Sequence, residues 1–172
     1  TLNYMPLPVE LAHRLTNRLE ECRRNNIILG LRPDGKSQVS VQYRGDRFDK
    51  ITSVVISAQH DENKDLAELT AEIREKVIDK ELKEYDLTDA EILINPSGRF
   101  VIGGFEADTG LTGRKLMVDT YGGIAHHGGG ALSGKDASKV DRSGAYFARY
   151  IAKNIVAAGL AEKCEVALSY AI

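Results

Sequence analysis

Apolar residues recur along the chain in two kinds of pattern, one helical and one strand-like. Spacings of three or four, with Arg and Glu between them, predict helices over residues 8–25, 64–82 and 140–158. Alternating or β-branched apolar runs predict strands over residues 37–43, 51–58, 92–94, 100–102, 116–118 and 164–172. Gly159 directly follows the third helix, where a glycine commonly caps the C-terminus.

The order of these elements favours the α+β class. Arg44-Gly45-Asp46 separates the first two strands so closely that it predicts a hairpin. Paired neighbouring strands with interspersed helices are typical of mainly antiparallel sheets, and the chain lacks the regular βαβ series of a doubly wound fold. Glycine density rises near residue 103, which predicts a domain boundary there.

Composition narrows the class of protein. The chain has 172 residues, of which 42% are hydrophobic and 28% charged, with a formal net charge of −2. This balance predicts an ordered globular protein and disfavours a dedicated nucleic-acid binder. The sequence has no run of 18 apolar residues, and its two cysteines form neither a disulfide framework nor a metal set. We therefore expect a cytoplasmic protein that does not enter a membrane.

Glycines concentrate in one stretch of the chain. Of the 16 glycines, five lie elsewhere and the other 11 fall within residues 98–134. A long flexible loop is one interpretation of such clustering. The other is a backbone that approaches a ligand closely with its amides free to donate, and the charged residues set among the glycines favour it.

The stretch Gly129–Lys135 fits the G-x-x-x-x-G-K pattern of a phosphate loop. Asp136 follows where that motif has Ser or Thr, so the hydroxyl that binds Mg²⁺ is missing. No parallel strand leads into the stretch, and no helix follows at once. A P-loop kinase or NTPase is therefore disfavoured, and a phosphate-contacting loop of another kind is favoured.

Basic and acidic side chains near the glycines suggest the ligand. Up to five cations suit a polyphosphate better than a single carboxylate, and they are Lys36, Arg114, Lys115, Lys135 and Lys139. Three carboxylates are candidates to bind Mg²⁺ or a substrate amine: Asp108, Asp136 and Asp141. The adjacent His126-His127 pair does not predict a zinc site, because neighbouring strand residues point to opposite faces.

Five ordered motifs together carry a family resemblance. They are Gly98–Gly104, Asp108–Lys115, Val118–Gly123, Gly128–Asp136 and Lys139–Ser143. In these motifs the chain resembles the S-adenosylmethionine synthetase (methionine adenosyltransferase) family. The resemblance implies α+β domains with mainly antiparallel sheets and helices packed on one face. Residues 1–102 would be the middle domain, and residues 103–172 the first part of the C-terminal domain.

The resemblance also implies a reaction. Methionine sulfur attacks the ribose 5′ carbon of ATP, tripolyphosphate leaves, and the enzyme then hydrolyses it to phosphate and pyrophosphate. A thioether needs no deprotonation, so the first step depends on positioning and on neutralising a highly negative leaving group.

Residue roles follow from matching the family's motifs. The catalytic positions implied are Lys36, Arg114, Lys115 and Lys135. The ATP contacts implied are Asp34, Gly35, Lys36, Arg99, Phe100, Asp108, Arg114, Lys115, Ala131 and Lys135. Asp108 and Lys139 match methionine-binding positions, and Asp141 matches a Mg²⁺ ligand. The family also uses K⁺ and forms homodimers or homotetramers with active sites between subunits.

Departures from the family pattern set limits on this expectation. Family chains are more than twice as long, and the segments with the His-Pro-Asp-Lys motif, the Gly-Ala-Gly-Asp-Gln-Gly loop and the acidic K⁺ ligand are absent. Phe105-Glu106-Ala107 also departs from the Pro-Met-Gly-like tripeptide of many bacterial members. The chain starts without Met and stops within an alternating stretch, so we expect a piece of a longer protein.

Two function classes therefore stay open. The first is an S-adenosylmethionine synthetase whose isolated fragment has weak or no activity. The second is a non-catalytic module that binds nucleotide or polyphosphate and pairs subunits.

Overall fold

The chain divides into two units, each described here by itself. A computed structural model describes residues 1–171. The sheet unit comprises Leu7–Thr109, and the helical unit comprises Thr1–Pro6 with Gly110–Ile172. The longer elements are α1 (Leu7–Arg24), β1 (Leu31–Arg44), β2 (Arg47–His60), α2 (Leu66–Ile73), β3 (Glu91–Ile94), α3 (Leu116–Asp119) and α4 (Val140–Ala157).

A three-stranded sheet in the order β1-β2-β3 forms the centre of the sheet unit. β1 and β2 pair antiparallel around the two-residue turn Gly45-Asp46, where Gly45 has a φ of +60°. A positive φ suits a tight hairpin turn, and glycine adopts it without a steric penalty. The predicted hairpin is confirmed.

β2 and β3 pair in parallel, with Val54 opposite Ile92 and Ile56 opposite Ile94. A parallel pair needs a crossover connection, and α2 supplies it. The sheet is thus mostly antiparallel with one βαβ crossover, which confirms the α+β class.

One apolar core holds the sheet unit together. The predicted stripe of α1 is buried through Leu11, Leu15, Leu19 and Cys22. Alternate residues of β2 and the apolar stripe of α2 complete the cluster. Because these side chains share one cluster, both helices cover the same face of the sheet. Fully burying each such leucine contributes roughly 1.5–3 kcal/mol.

The second predicted helix changes its geometry partway. It is α-helical over Leu66–Ile73 and continues as a π-helical turn over Arg74–Asp79. Val77 and Ile78 are adjacent in sequence, yet both are fully buried. The wider turn accompanies a shift of the buried stripe, so that these neighbours both reach the core.

The helical unit differs from the predicted pattern. α4 matches the predicted third helix, and Gly159 (φ +69°) caps it through bonds from the Gly159 and Leu160 amides to Val156 and Ile155. Tyr150 stacks on Phe147, and no side chain of α4 is fully buried. The buried apolar side chains of the described chain all lie between Leu11 and Leu82, within the sheet unit.

Three predicted strands are wrong over the described residues. The segment predicted at 116–118 is the short helix α3, because the backbone closes on itself through the Asp119 amide and the Lys115 carbonyl. The segments at 100–102 and 164–171 are not strands, and Ile172 lies outside the described residues. Short apolar triplets fit helix and strand equally well, so hydrogen bonds of the flanking residues decide between them.

Candidate functional site

The last three residues of β2 hold a loop that carries two predicted ATP-contacting residues, Arg99 and Phe100. Asn95 begins this attachment, since its side chain pairs with both backbone groups of Ala58. The Ala58 amide donates to Asn95 Oδ1 at 2.7 Å, and Asn95 Nδ2 donates to the Ala58 carbonyl at 3.1 Å. An amide side chain thus extends the pairing of β3 beyond Ile94.

His60 is the last residue of β2 and is fully buried. Its backbone amide donates to the Phe100 carbonyl at 2.9 Å, and the Phe100 amide donates to His60 Nε2 at 3.0 Å. Nδ1 lies 2.9 Å from the Asp61 carbonyl. Because an amide can only donate and a carbonyl can only accept, the ring carries its proton on Nδ1 and is neutral.

Gln59 lies between the start of β1 and the same loop. Its Nε2 donates to the Val101 carbonyl at 2.9 Å, and its Oε1 accepts from the Asp34 amide at 3.3 Å. A Cβ at Gly103 would lie 2.6 Å from Gln59 Cδ, so a larger residue there would displace the Gln59 amide from its present position. Asp34 completes the attachment, because its Oδ2 accepts from the Gly104 amide at 2.8 Å.

The sheet unit therefore brings several predicted ATP-binding residues to one end of the sheet. Asp34 and Gly35 lie near the start of β1, where Gly35 pairs with Ala58. Lys36 is the next residue and is exposed opposite Ser57. Arg99 donates to the Glu62 carbonyl. Asp108 follows a short 3₁₀ turn, and its amide donates to the Gly104 carbonyl at 3.0 Å.

Within the helical unit, the glycine-rich loop that ends at Lys135 packs against the segment around Thr112 and Gly113. Thr112 Oγ1 donates to Ser133 Oγ at 2.6 Å, and a Cβ at Gly113 would lie 2.7 Å from that of Ala131. These contacts bring the segment before Arg114 and Lys115 against the loop that ends at Lys135. Arg114 and Lys115 are both exposed.

Lys135 is paired inside the helical unit. Its Nζ lies 2.7 Å from Asp141 Oδ2, and Tyr170 donates to Asp141 Oδ1 at 3.1 Å. The hydrogen bond from Lys135 and then that from Tyr170 lower the pKa of Asp141. The same carboxylate raises the pKa of Tyr170. A Cβ at Gly130 would lie 2.6 Å from Asp141 Oδ1, so the loop closes over this cluster.

Few side chains in the described residues are placed to coordinate a metal ion. Within residues 1–171, no group of three or more His, Cys, Asp or Glu side chains is placed to hold a metal ion. Asp141 provides one carboxylate in the first turn of α4. Lys139 is the N-cap residue of the same helix and is exposed. Asp136 is bonded to Ser138, which lowers its pKa. Mg²⁺ is commonly held by one or two carboxylates with substrate phosphates, so Asp141 fits a single-ligand role.

Sequence reasoning did not find the residues that hold the loop, namely Gln59, His60 and Asn95. Two signals were present. Gln-His directly follows the predicted strand at 51–58, and Asn95 opens a turn motif. Neither signal identifies its partner, because the hydrogen bond between Phe100 and His60 joins residues 40 positions apart.

One further property concerns membranes. Among the helices of residues 1–171, none combines the length and the apolar character needed to cross a bilayer.

Comparison with known proteins gives matches over the whole chain. The family profile "S-adenosylmethionine synthetase, central domain" matches residues 1–100, and "S-adenosylmethionine synthetase, C-terminal domain" matches residues 102–172. The chain is 58% identical over 173 residues to the S-adenosylmethionine synthase of Desulforudis audaxviator. It is 57% identical over 173 residues to S-adenosylmethionine synthase 1 of Rhodospirillum rubrum, and 56% identical over 175 residues to the S-adenosylmethionine synthase of Leuconostoc mesenteroides.

These alignments cover 100% of the chain but only 44% of the first relative and 45% of the other two. The chain thus spans somewhat less than half the length of the curated relatives it matches.

Proposed function

The chain belongs to the S-adenosylmethionine synthetase family, and from this premise we propose that it contributes the middle domain and the first part of the C-terminal domain to an enzyme that makes S-adenosylmethionine. The substrates are ATP and L-methionine. The observation that carries the proposal is the identity of 55–58% to S-adenosylmethionine synthases along the entire chain.

The proposed chemistry has two steps. The methionine sulfur forms a bond to the ribose C5′ of ATP while the bond from C5′ to oxygen breaks, and tripolyphosphate leaves with the electron pair. Water then cleaves tripolyphosphate to phosphate and pyrophosphate. The protein must neutralise the negative charge that develops on the leaving group.

The basic residues are assigned to that task. In the sheet unit, exposed Lys36 contributes charge to polyphosphate binding. In the helical unit, Arg114, Lys115 and Lys135 contribute further charge. The exposure of Lys36, Arg114 and Lys115 supports this role, since they are accessible to a ligand.

The remaining residues are assigned to the other parts of the substrates. Asp34, Gly35, Arg99, Phe100 and Ala131 contact the nucleotide, Asp108 contacts both ATP and methionine, and Lys139 binds at the methionine end. The hydrogen bonds that hold Asp34 and Phe100 in place support a preorganised adenine end.

Mg²⁺ and K⁺ are the proposed cofactors. Asp141 would supply one carboxylate oxygen to Mg²⁺, and the ion neutralises phosphate charge when it is bound. For K⁺ we assign no residue of this chain. We propose further that the protein acts in the cytoplasm as a homodimer or homotetramer.

The fraction of the relatives' length that the chain covers favours one alternative. With 44–45% of their length, the chain by itself can be a module that binds nucleotide or polyphosphate and pairs subunits without catalysis.

One experiment separates the two functions. The chain is incubated with ATP, Mg²⁺ and K⁺, with and without L-methionine, while the sulfonium product is followed by mass spectrometry and phosphate by a colorimetric assay. Binding of ATP is measured in parallel by calorimetry. Methionine-dependent product supports catalysis by the chain and contradicts the non-catalytic module, whereas binding without product means that the chain by itself is a binding module. Phosphate release that does not need methionine contradicts both and indicates an ATPase.

A further inference from the structure

We propose that His60 is a positioning residue for the nucleotide, because its ring fixes the backbone of Phe100 and thereby the Arg99 and Phe100 side chains. This inference rests on the proposed function, which assigns Arg99 and Phe100 to ATP. No comparison assigns a role to His60.

The His60 ring supplies a hydrogen-bond partner to the loop. Phe100 lies outside any strand, yet its carbonyl and its amide are both bonded to His60. The carbonyl accepts from the His60 backbone, which any residue can provide. The amide donates to the imidazole Nε2 at 3.0 Å, and this bond needs a side-chain acceptor at that position. The His60 side chain therefore accepts the hydrogen bond that a neighbouring strand would accept if Phe100 lay within a sheet.

The His60 ring is itself held in one orientation. Nδ1–H donates to the Asp61 carbonyl 2.9 Å away, and the side chain has no exposed surface. A ring flipped by 180° would direct its proton away from the Asp61 carbonyl, so only one orientation satisfies both partners. A buried ring with two opposed main-chain partners is a rigid support for Phe100.

The neighbouring residue holds the next position of the loop. Gln59 bonds the Val101 carbonyl, and successive strand residues point to opposite faces of the sheet. The backbone from Phe100 to Val101 is thus held through both faces of the end of β2. Arg99 is bonded to the Glu62 carbonyl, just beyond the same strand. Because the loop has no strand pairing of its own, its position depends on these bonds.

Two substitutions at His60 separate positioning from mere burial. His60→Gln can place an acceptor where Nε2 lies, and so keep the bond from the Phe100 amide. His60→Asn can place a donor where Nδ1 lies, and so keep only the bond to Asp61. Both variants replace the ring by an amide, and because Asn is one methylene shorter than Gln, the tripolyphosphate affinity serves to detect a general loss of packing. His13→Asn, at an exposed position of α1, is the matched control.

The readout is calorimetric affinity of the 172-residue chain for ATP and, separately, for tripolyphosphate, which lacks adenosine. We expect His60→Asn to weaken ATP binding about tenfold, because the variant loses one hydrogen bond to the Phe100 amide. His60→Gln should stay within about threefold of wild type. Neither variant should change the affinity for tripolyphosphate, and His13→Asn should change nothing.

The outcomes distinguish this inference from the proposed function. A wild-type chain that binds neither ligand contradicts the proposed function and, with it, this inference. Wild-type binding of both ligands, with equal ATP affinities for the Gln and Asn variants, overturns the inference alone. A parallel loss of tripolyphosphate binding also overturns it, because that result indicates a general structural role.

A measurement on the unmutated chain keeps the inference testable if the variants do not fold. In ¹⁵N-labelled protein, the bond from the Phe100 amide to His60 Nε2 should give a scalar coupling between the two nitrogens. Adding ATP should shift the Phe100 amide and the His60 ring resonances, while adding tripolyphosphate should not. A missing coupling, or equal shifts with both ligands, would overturn the inference.

Discussion

Lys135 and Asp141 form an ion pair, with 2.7 Å between the lysine ammonium nitrogen and Asp141 Oδ2. The pair joins the end of the glycine-rich loop to the first turn of α4. The proposed function assigns the two residues to different ligands, polyphosphate for Lys135 and Mg²⁺ for Asp141. On these assignments, binding of a magnesium–polyphosphate complex would replace the ion pair by a contact from Lys135 to phosphate and one from Asp141 to Mg²⁺.

Replacing Lys135 tests its assignment to polyphosphate. We expect Lys135→Ala to weaken tripolyphosphate binding about tenfold or more, because charge-assisted contacts to phosphate are strong. The far-UV circular dichroism spectrum should not change, because a partly exposed loop lysine contributes little to folding. Lys163→Ala removes the same charge from an exposed position of the helical unit and should leave the affinity unchanged. Loss of helical signal in Lys135→Ala would mean that the residue is structural.

The same ion pair predicts a dependence on pH. Hydrogen bonds from Lys135 and Tyr170 lower the pKa of Asp141 below its ordinary value of 3.8. The contact therefore stabilises the loop above that value and is lost as the pH falls through the lowered pKa of the folded state. Between pH 7 and pH 5 the contact should not change. A carboxyl ¹³C titration by NMR should show this, and the pKa of Asp141 should rise in Lys135→Ala. An unchanged pKa would contradict the pairing.

Gly130 allows the loop to close over Asp141. In Gly130→Ala the new methyl group would lie 2.6 Å from Asp141 Oδ1 and 2.9 Å from Asp141 Cβ. Because the β-carbon cannot move without the helix backbone, the loop must open, and the pKa of Asp141 should return toward its ordinary value. Gly128→Ala is the matched control, since nothing lies within 4 Å of a Cβ at that position. Similar carboxyl titrations for the two variants would show that Gly130 has no role in closure.

A second ion-pair network stabilises the sheet unit. Glu72 accepts from Lys64 at 2.7 Å and from Lys76 at 2.6 Å, and the Lys64 side chain is only 9% exposed. Burial by itself would raise the pKa of Glu72, but the bonds from the two lysines outweigh it and lower the pKa. Its contribution to stability is therefore present at neutral pH and is lost in acid.

Glu72→Gln leaves the buried Lys64 ammonium with a weaker partner. We expect the free energy of unfolding in urea to fall by about 2 kcal/mol at pH 7, with the difference from wild type shrinking in acid. Glu68 contacts the same lysine at 3.1 Å but is 60% exposed. Glu68→Gln should lower the free energy by less than about 0.5 kcal/mol. Equal losses in the two variants would rule out burial as the cause.

Much of the sheet unit could be predicted from local patterns. The apolar stripe of α1 and the turn at Gly45 each depend on residues that lie close together in the sequence, so both could be predicted from it. The glycines near Lys135 predicted that the backbone approaches a ligand closely, which stays a prediction, whereas the close approach of Gly130 to Asp141 was not predicted. The assignment of particular residues to ATP, methionine or Mg²⁺ stays a prediction.

The end of β2 could not be predicted, because its partners are distant in sequence. Both α2 and β3 lie between His60 and Phe100 in the sequence. The prediction of a strand at 116–118 was wrong for the opposite reason, because the deciding hydrogen bonds there are local. Its apolar triplet fits either element, and a local turn closed by Gly122 and Met117 decides for the helix.

Asn95 has both a positive φ and a hydrogen-bonded side chain, and substitutions by Ala and Gly separate the contributions of the two to stability. Its φ is +45°, and its side chain makes two buried hydrogen bonds to Ala58. Asn95→Ala loses both bonds and keeps a backbone conformation that alanine disfavours. We expect a loss of about 3 kcal/mol in the free energy of unfolding, roughly 1 from the backbone and 2 from the bonds.

Asn26 supplies the matched comparison, since it has a φ of +53° at an exposed position. Asn26→Ala should therefore lower the free energy of unfolding by about 1 kcal/mol, the backbone part alone. Asn95→Gly removes the side chain but accepts the positive φ, so it should lose only the part due to the bonds, about 2 kcal/mol. Urea unfolding of the three variants measures each part. If Asn95→Gly were as stable as wild type, the bonds to Ala58 would not hold the loop, and its attachment would depend on its other hydrogen bonds, including those to Gln59, His60 and Asp34.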